Sequence, residues 1–205
     1  MPEHNIAPVF DVGNVLIRWD PRYLYRKLIE NEAEREDFLT RVCPADWNLE
    51  MDRGKPFAHG IAERVALFPE KAELIRAFDE RWLETVGGAI DGAVEILAEL
   101  RARRVRTYAI TNFSHEKFAV ASRHYPFLAE FDGVVISAQE GLLKPDRRIY
   151  ELFCARHGVS AADCLFIDDS LSNVEAACAL GMRGHRFTTP EALRAALKQA
   201  GLPLA

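Results

Sequence analysis

The chain is long enough to bury a hydrophobic core, and its charge balance excludes several classes of partner. It has 205 residues, 49% of them hydrophobic, and a formal net charge of −5 at neutral pH. Its basic residues are scattered instead of clustered, so it has no electrostatic footprint for nucleic acid or an anionic membrane. We therefore expect one domain that carries an insert and acts on a small molecule.

The cellular location is predicted from the start of the chain and from its hydropathy. Residues 1–5, Met-Pro-Glu-His-Asn, lack the basic and apolar regions of a signal peptide. No apolar run approaches the roughly 20 residues that a membrane-spanning helix needs. The four cysteines lack metal-ligand spacing, which favours reduced thiols over a disulfide or a zinc site. We expect a cytoplasmic protein, a monomer or homodimer, with no nucleic-acid or membrane partner.

Five short apolar runs are typical of buried parallel strands. The first covers residues 7–10, and the others are separated by enough chain to hold a helix. These later runs are residues 105–110, 134–136, 164–167 and 184–187. Strands that alternate with helices in this way predict an α/β fold with a doubly wound parallel sheet.

Helices are predicted between the strands, because hydrophobic residues recur there at i, i+3, i+4 and i+7. Residues 93–100 and 193–200 both follow this spacing. Asp91 is placed to cap the first of these helices, and Thr189, which precedes a proline, is placed to cap the second. Pro145 suits the first position of a further helix.

One long segment departs from the alternation of strands and helices. Residues 19–86 contain helical patterns but no convincing strand. We interpret this segment, called the helical insert below, as a cap domain inserted after the first strand. Residues 1–18 and 87–205 then form the core domain.

Polar residues follow four of the predicted strands at their carboxyl ends. In an open parallel sheet, ligands bind beyond these ends. The residues that the strands deliver to this edge are Asp11, Gly13, Thr111, Asn112, Lys144, Asp168 and Asp169.

These residue types suit phosphoryl transfer. A carboxylate such as Asp11 can attack phosphorus and hold the group as an acyl phosphate. Magnesium held by Asp11, the Gly13 carbonyl and Asp169, with Asp168 nearby, would offset the repulsion between the two anions.

Further polar groups would bind the phosphate itself. Lys144 would place a positive charge on it, while Thr111 and the amide or backbone of Asn112 would donate hydrogen bonds. Any one of these residues alone is more simply explained as a helix cap or a turn. The whole set in this order favours a functional site.

The set resembles a known family. Residues 10–15 (Phe-Asp-Val-Gly-Asn-Val), 110–112 (Ile-Thr-Asn), 144–145 (Lys-Pro) and 166–170 (Phe-Ile-Asp-Asp-Ser) look like the four motifs of the haloacid dehalogenase superfamily. The helical insert resembles the type-1 cap of that family. The resemblance implies a Mg²⁺-dependent phosphatase of small phosphorylated metabolites, with Asp11 as nucleophile.

The resemblance also implies a role for each remaining motif residue. Thr111 and Lys144 would hold the phosphate, and Asp169 would bind magnesium with Asp168 supporting it through water. Phosphatases of the family generally carry a second aspartate two residues after the nucleophile, as general acid and base. Here that position is Gly13, a D-x-G-N form that resembles a subgroup with sugar-phosphate phosphatases of the glucose-1-phosphate type.

The absent second aspartate leaves alternatives open. General acid-base assistance is worth about a hundred- to ten-thousand-fold in rate, so a substitute is expected, and Asp52 in the helical insert is one candidate. A 2-haloacid dehalogenase would use the same nucleophile without a metal, but the adjacent acids Asp168 and Asp169 favour the phosphatase. A non-catalytic binding domain of the same fold is the third possibility.

Overall fold

The structure is a computed structural model that describes residues 6–205. The expectation that the start of the chain lacks a signal peptide falls on residues 1–5, outside the described part. No helix within residues 6–205 combines the length and the apolar character needed to cross a membrane. The four cysteines are all free thiols, as predicted.

Seven strands and eleven α-helices make up most of the described chain. The strands are β1 (Ala7–Phe10), β2 (Ile17–Trp19), β3 (Val86–Ala89), β4 (Tyr108–Thr111), β5 (Gly133–Ile136), β6 (Cys164–Asp168) and β7 (Arg183–Arg186). The helices are α1 (Arg22–Tyr25), α2 (Glu32–Asp37), α3 (Ala45–Asp52), α4 (Phe57–Leu67), α5 (Ala72–Glu80), α6 (Asp91–Ala102), α7 (His115–His124), α8 (Ser137–Glu140), α9 (Arg147–His157), α10 (Leu171–Leu180) and α11 (Pro190–Gln199).

Shorter helical turns connect several of these elements. A π-helical turn follows α2 at Phe38–Val42, and four 3₁₀ turns complete the helical segments. The 3₁₀ turns are Pro69–Lys71, Trp82–Thr85, Pro126–Glu130 and Ala161–Asp163.

The main sheet has five parallel strands in the order β5-β4-β1-β6-β7. This confirms the predicted α/β fold with a parallel sheet. The chain crosses from β1 to one side through β4 and β5, and then to the other side through β6 and β7. The carboxyl ends of β4 and β6 therefore flank that of β1, which is where the order reverses.

The strand bounds differ from the predicted runs at their ends. The run 105–110 forms a strand only from Tyr108, because Val105 N–H closes the end of α6 on Leu100 O and Thr107 N–H donates to the Asp132 carboxylate. The last strand begins and ends one residue earlier than predicted. Neighbour pairing, which the apolar pattern does not encode, sets these limits.

Two of the three predicted helix starts are wrong. Ile90 precedes α6 and its N–H still pairs with Leu16 O, so Asp91 lies inside the first turn and its side chain caps nothing. Helix α9 begins at Arg147, because Asp146 accepts the Arg148 N–H at 2.9 Å and takes the capping role from Pro145. Thr189 does cap α11, accepting the Ala192 N–H at 3.2 Å.

The helical insert is helical as predicted, but strands mark both of its ends. β2 and β3 pair antiparallel, so the chain leaves and re-enters the core through one two-stranded ribbon. The sequence did not indicate it because β3 reads Val-Gly-Gly-Ala, with two residues that disfavour strands. The predicted domain boundaries, 18/19 and 86/87, fall inside this ribbon.

The insert and the main sheet share one buried apolar cluster. It joins Phe10 of β1 and Leu97 of α6 to Tyr25, Trp47 and Phe78 of the insert. The insert is therefore packed on the core and not merely tethered to it. A second cluster on the other face of the sheet includes Tyr108, Phe153 and Phe166.

We expect Leu97→Ala to lower the free energy of unfolding by about 2–5 kcal/mol, because Leu97 is fully buried in the shared cluster. Urea unfolding followed by circular dichroism measures the loss. Glu95→Ala on the exposed face of the same helix is the control, and we expect little change there. Equal losses in both variants would contradict the assigned packing of α6.

Candidate active site

The carboxyl ends of three neighbouring strands bring the predicted site residues together. Asp11 directly follows β1, Thr111 ends β4 and Asp168 ends β6. The backbone continues the sheet here, since the Asp11 N–H donates to Ile167 O at 2.8 Å. All three residues are less than a tenth exposed, so their polar groups have little contact with solvent.

Lys144 lies at the centre of this group. Its Nζ is 2.9 Å from Asp11 Oδ1 and 2.7 Å from Asp168 Oδ2, and it donates to Ile110 O at 2.9 Å. An ammonium has three N–H donors, so each finds an oxygen. The side chain is fully buried, so its attraction to the two carboxylates is screened less than in a surface pair, and the three contacts hold Lys144 in one position.

Asp168 is held from several directions and is itself completely buried. Its Oδ1 accepts the Ser170 N–H at 2.8 Å, and both oxygens lie 3.1 Å from Asn173 Nδ2. Sequence reasoning missed Asn173, which lies near the start of α10 and looks like an ordinary helical residue. The only signal was an amide shortly after two adjacent acids.

The side chain of Asn112 holds the Lys144 loop. Its Nδ2 donates to Lys144 O at 3.0 Å, and its Oδ1 accepts the Lys144 N–H at 2.8 Å. Either this amide or the Asn112 backbone N–H was expected to donate to phosphate, and the amide is engaged with the protein main chain. Any hydrogen bond from Asn112 to a phosphate therefore falls to its backbone N–H.

Thr111 has a polar atom that the described protein does not satisfy. The residue is 1% exposed, and its Oγ1 has no hydrogen-bond partner among residues 6–205. A buried hydroxyl without a partner costs free energy, so such atoms are rare. This hydroxyl at the end of β4 is therefore available to donate a hydrogen bond to an oxygen of a bound ligand.

Burial governs the ionisation of the site. It raises the pKa of Asp11 to about 7, with a smaller increase from Asp168, while Lys144 opposes the shift. Burial acts to lower the pKa of Lys144, but Asp11 and Asp168 outweigh it, so that pKa is raised and the ammonium stays charged. Burial and Asp168 also raise the pKa of Asp169.

Three carboxylates are arranged as a cation site. Asp11, Asp168 and Asp169 each offer an oxygen, and these oxygens lie within 4.8 Å of one another. When ionised they carry two more negative charges than Lys144 balances. Hard oxygen ligands and this charge fit Mg²⁺, which binds through one or two carboxylates with waters. Gly13 lies beside Asp11 and forms a bridge with Ile17.

A cavity of about 250 Å³ lies between the insert and the core. Gly13 and Asn112 line it from the core, and Asp52 lines it from α3. The rest of its lining is largely aromatic or apolar, with Trp19, Ala45, Leu49, Phe57, Trp82 and Phe113. Gly13 lies two residues after Asp11 and Asn112 directly follows Thr111, so the cavity reaches two of the predicted motifs.

This arrangement can be compared with known proteins. A family model described as haloacid dehalogenase-like hydrolase matches residues 7–181, which is most of the chain. The chain belongs to this family. The matched range includes every residue of the site, from Asp11 to Asp169.

Relatives of this haloacid dehalogenase-like hydrolase include a sesquiterpene phosphatase of Aspergillus oryzae. The two are 31% identical over 200 residues, covering 94% of this chain and 95% of the relative. A family enzyme of Bacteroides thetaiotaomicron, solved with magnesium and inorganic phosphate, has a TM-score of 0.68 at 17% identity, with 90% and 94% of the chains covered. L-2-haloacid dehalogenase of Xanthobacter autotrophicus has a TM-score of 0.62 at 18% identity, covering 97% and 84%.

These comparisons confirm the predicted superfamily and the hydrolase class. The two solved structures support the fold alone, because they are only 17% and 18% identical to this chain. The placement in a D-x-G-N subgroup stays a prediction.

We expect the three-carboxylate cluster to bind Mg²⁺, and Asp169→Asn to weaken binding because it removes one ligand charge. Isothermal titration calorimetry with MgCl₂ measures this. Asp163→Asn, at the opposite end of β6, is the control. Equal affinity in wild type and Asp169→Asn would place the cation elsewhere.

Proposed function

We propose that this hydrolase is a magnesium-dependent phosphatase that acts on small phosphorylated molecules through an aspartyl-phosphate on Asp11. The observation that carries the proposal is the buried ion pair between Asp11 and Lys144 beside two further carboxylates. The name of the Aspergillus oryzae relative agrees with phosphate esters as substrates. Mg²⁺ would be held by Asp11, Asp169 and the Gly13 carbonyl, with Asp168 in support.

The contacts of Asp11 support its role as nucleophile. Lys144 Nζ and the Val12 N–H, the latter at 2.7 Å, both bind Oδ1. These contacts fix the carboxylate and leave Oδ2 as the oxygen for attack. A positioned nucleophile lowers the entropic part of the barrier.

The reaction then proceeds in two displacements at phosphorus. An Asp11 oxygen bonds to phosphorus as the bond to the leaving oxygen breaks, and that oxygen takes a proton from a general acid, which later takes a proton back from the attacking water. Water next attacks the phosphorus, the bond to Asp11 breaks, and phosphate is released. The Thr111 hydroxyl and the Asn112 backbone N–H would donate to the phosphoryl oxygens, and Lys144 would offset their charge from its place between Asp11 and Asp168. Mg²⁺, when bound, would supply the remaining positive charge.

The three-carboxylate cluster also helps to distinguish a phosphatase from a 2-haloacid dehalogenase and from a non-catalytic binding domain. A 2-haloacid dehalogenase attacks carbon and needs no cation, so the excess negative charge would disfavour a carboxylate nucleophile there. A non-catalytic binding domain could use the fixed Lys144 and the orphan Thr111 hydroxyl to hold a phosphate, but the Asp11 carboxylate would repel that phosphate and is better explained as a nucleophile. Both features are explained at once by a bound phosphoryl group.

The cavity favours a leaving group that has an apolar face. Trp19, Trp82 and Phe113 offer aromatic surface, while Asn48 and Asp52 offer a few polar contacts. The sugar phosphates expected from the sequence would use the polar groups but would leave much of this surface uncovered. We therefore place compact phosphomonoesters with an apolar body ahead of sugar phosphates.

We expect magnesium-dependent phosphate release from a panel of sugar, aryl and benzyl phosphates, abolished in Asp11→Asn because the amide is a poor nucleophile. Asp163→Asn is again the matched control. No release from any substrate, combined with halide release from 2-chloropropionate in the presence of EDTA, would favour the dehalogenase.

We expect Thr111→Val to lower kcat/KM by about ten- to a hundred-fold without lowering the melting temperature. The substitution removes a hydrogen bond to a charged oxygen, worth roughly 1.5–3 kcal/mol, while the free protein loses no partner. Steady-state kinetics and thermal unfolding measure the two effects. A large fall in melting temperature would mean that the hydroxyl has a structural role.

A further inference from the structure

Because Gly13 stands where the family's phosphatases generally carry a second aspartate, the core offers no side chain at this position to protonate the leaving oxygen. A glycine has no side chain, and a Cβ added there would meet nothing within 4 Å. The space in front of Gly13 is therefore open, and Gly13 lines the cavity. For a leaving group held in this cavity, a side-chain donor would come from another residue of the lining, and the alternative is a water.

Asp52 is the acidic residue in that lining. It is the last residue of α3 and is 9% exposed. Lys117 is the other charged residue of the lining, and its Nζ is bound by the carboxylate and the carbonyl of Asp79 and lies over the Phe57 ring. Among the described residues, Asp52 has no ion pair.

The position of the Asp52 carboxyl is fixed relative to the core. Asn48, one turn earlier in α3, donates from Nδ2 to Oδ2 at 2.9 Å. Ser137 Oγ, on the core, donates to the Asp52 carbonyl at 2.5 Å. Gly54 passes so close to Ala138 O that a Cβ there would lie 2.8 Å away. These contacts hold the end of α3 against the core beside the site.

Burial raises the pKa of Asp52 to about 7, although a hydrogen bond from the Ser114 backbone opposes the shift. A carboxyl group with such a pKa is protonated in a large fraction of molecules near neutral pH. It can both give and accept a proton, as a general acid and base must.

We propose that Asp52 protonates the leaving oxygen and thereby replaces the acid that Gly13 lacks. In the first step, the Asp52 proton goes to the leaving oxygen as the phosphorus–oxygen bond breaks and the bond to Asp11 forms. In the second step, the Asp52 carboxylate takes a proton from the attacking water as the bond to Asp11 breaks. Asp52 is thus protonated again at the end of the cycle.

This inference rests on the proposed phosphatase function and is tested with two substrates of similar size. The leaving group of 4-nitrophenyl phosphate is stable as an anion, whereas that of benzyl phosphate needs a proton. We expect Asp52→Asn to lower kcat/KM for benzyl phosphate by about a hundred- to ten-thousand-fold, and for 4-nitrophenyl phosphate by only a few-fold.

The second step provides an independent readout. Because Asp52→Asn also removes the base for water, the aspartyl-phosphate should accumulate. Rapid mixing with 4-nitrophenyl phosphate should then show a burst of nitrophenolate close to one per active site, followed by slow turnover. A purely structural role of Asp52 would produce no burst.

Asp46→Asn is the matched control, because it makes the same change at a residue of α3 that is exposed and does not line the cavity. We expect it to change kcat/KM little with either substrate. Equal losses with both substrates in Asp52→Asn, or no loss with benzyl phosphate, would overturn the role of Asp52 alone. Failure of the wild type to release phosphate from either substrate would overturn the phosphatase proposal and this inference with it.

Discussion

The ammonium of Lys144 is buried between Asp11 and Asp168, and this pairing joins three separate parts of the chain. One carboxylate follows β1, the other ends β6, and the lysine comes from the loop after α8. Removing one partner from a buried pair leaves an uncompensated charge and costs roughly 3–5 kcal/mol. Further contacts serve this arrangement, with Asn112 fixing the lysine loop and Asn173 fixing Asp168.

The fold was largely predictable because buried parallel strands leave a clear mark in sequence. Fully buried strands appear as continuous apolar runs, and β1 and β6 show this well. The ends of the elements were less predictable, since they depend on contacts between distant residues. For example, the Thr107 N–H donates to the Asp132 carboxylate and not to a neighbouring strand, so β4 begins later than predicted. The Ile90 N–H donates to Leu16 O, and α6 begins directly after Ile90, so Asp91 lies in the first turn and does not cap the helix. Such pairings appear only in three dimensions.

The core half of the site was predictable for a different reason. Strand ends in a parallel sheet meet at one edge, so Asp11, Thr111 and Asp168 could be placed together from their order alone. The hydrogen-bond partner that each polar side chain chooses was not predictable. The sequence could not indicate that the Asn112 amide is engaged with the Lys144 backbone, or that Asn48 braces Asp52 at the cavity. The cavity itself depends on how the insert packs on the core, and helical patterns carry no such information.

The pairing of β2 with β3 bears on how the insert could differ among relatives of this protein. Paired strands lie about 5 Å apart, so the helical insert starts and finishes at nearly the same point in space. Whatever connects those two points could vary in length and fold, provided that it still covers the apolar surface that the insert shares with the core. A relative could therefore acquire new substrate preferences by exchanging this one module, while the nucleophile and its lysine keep their geometry.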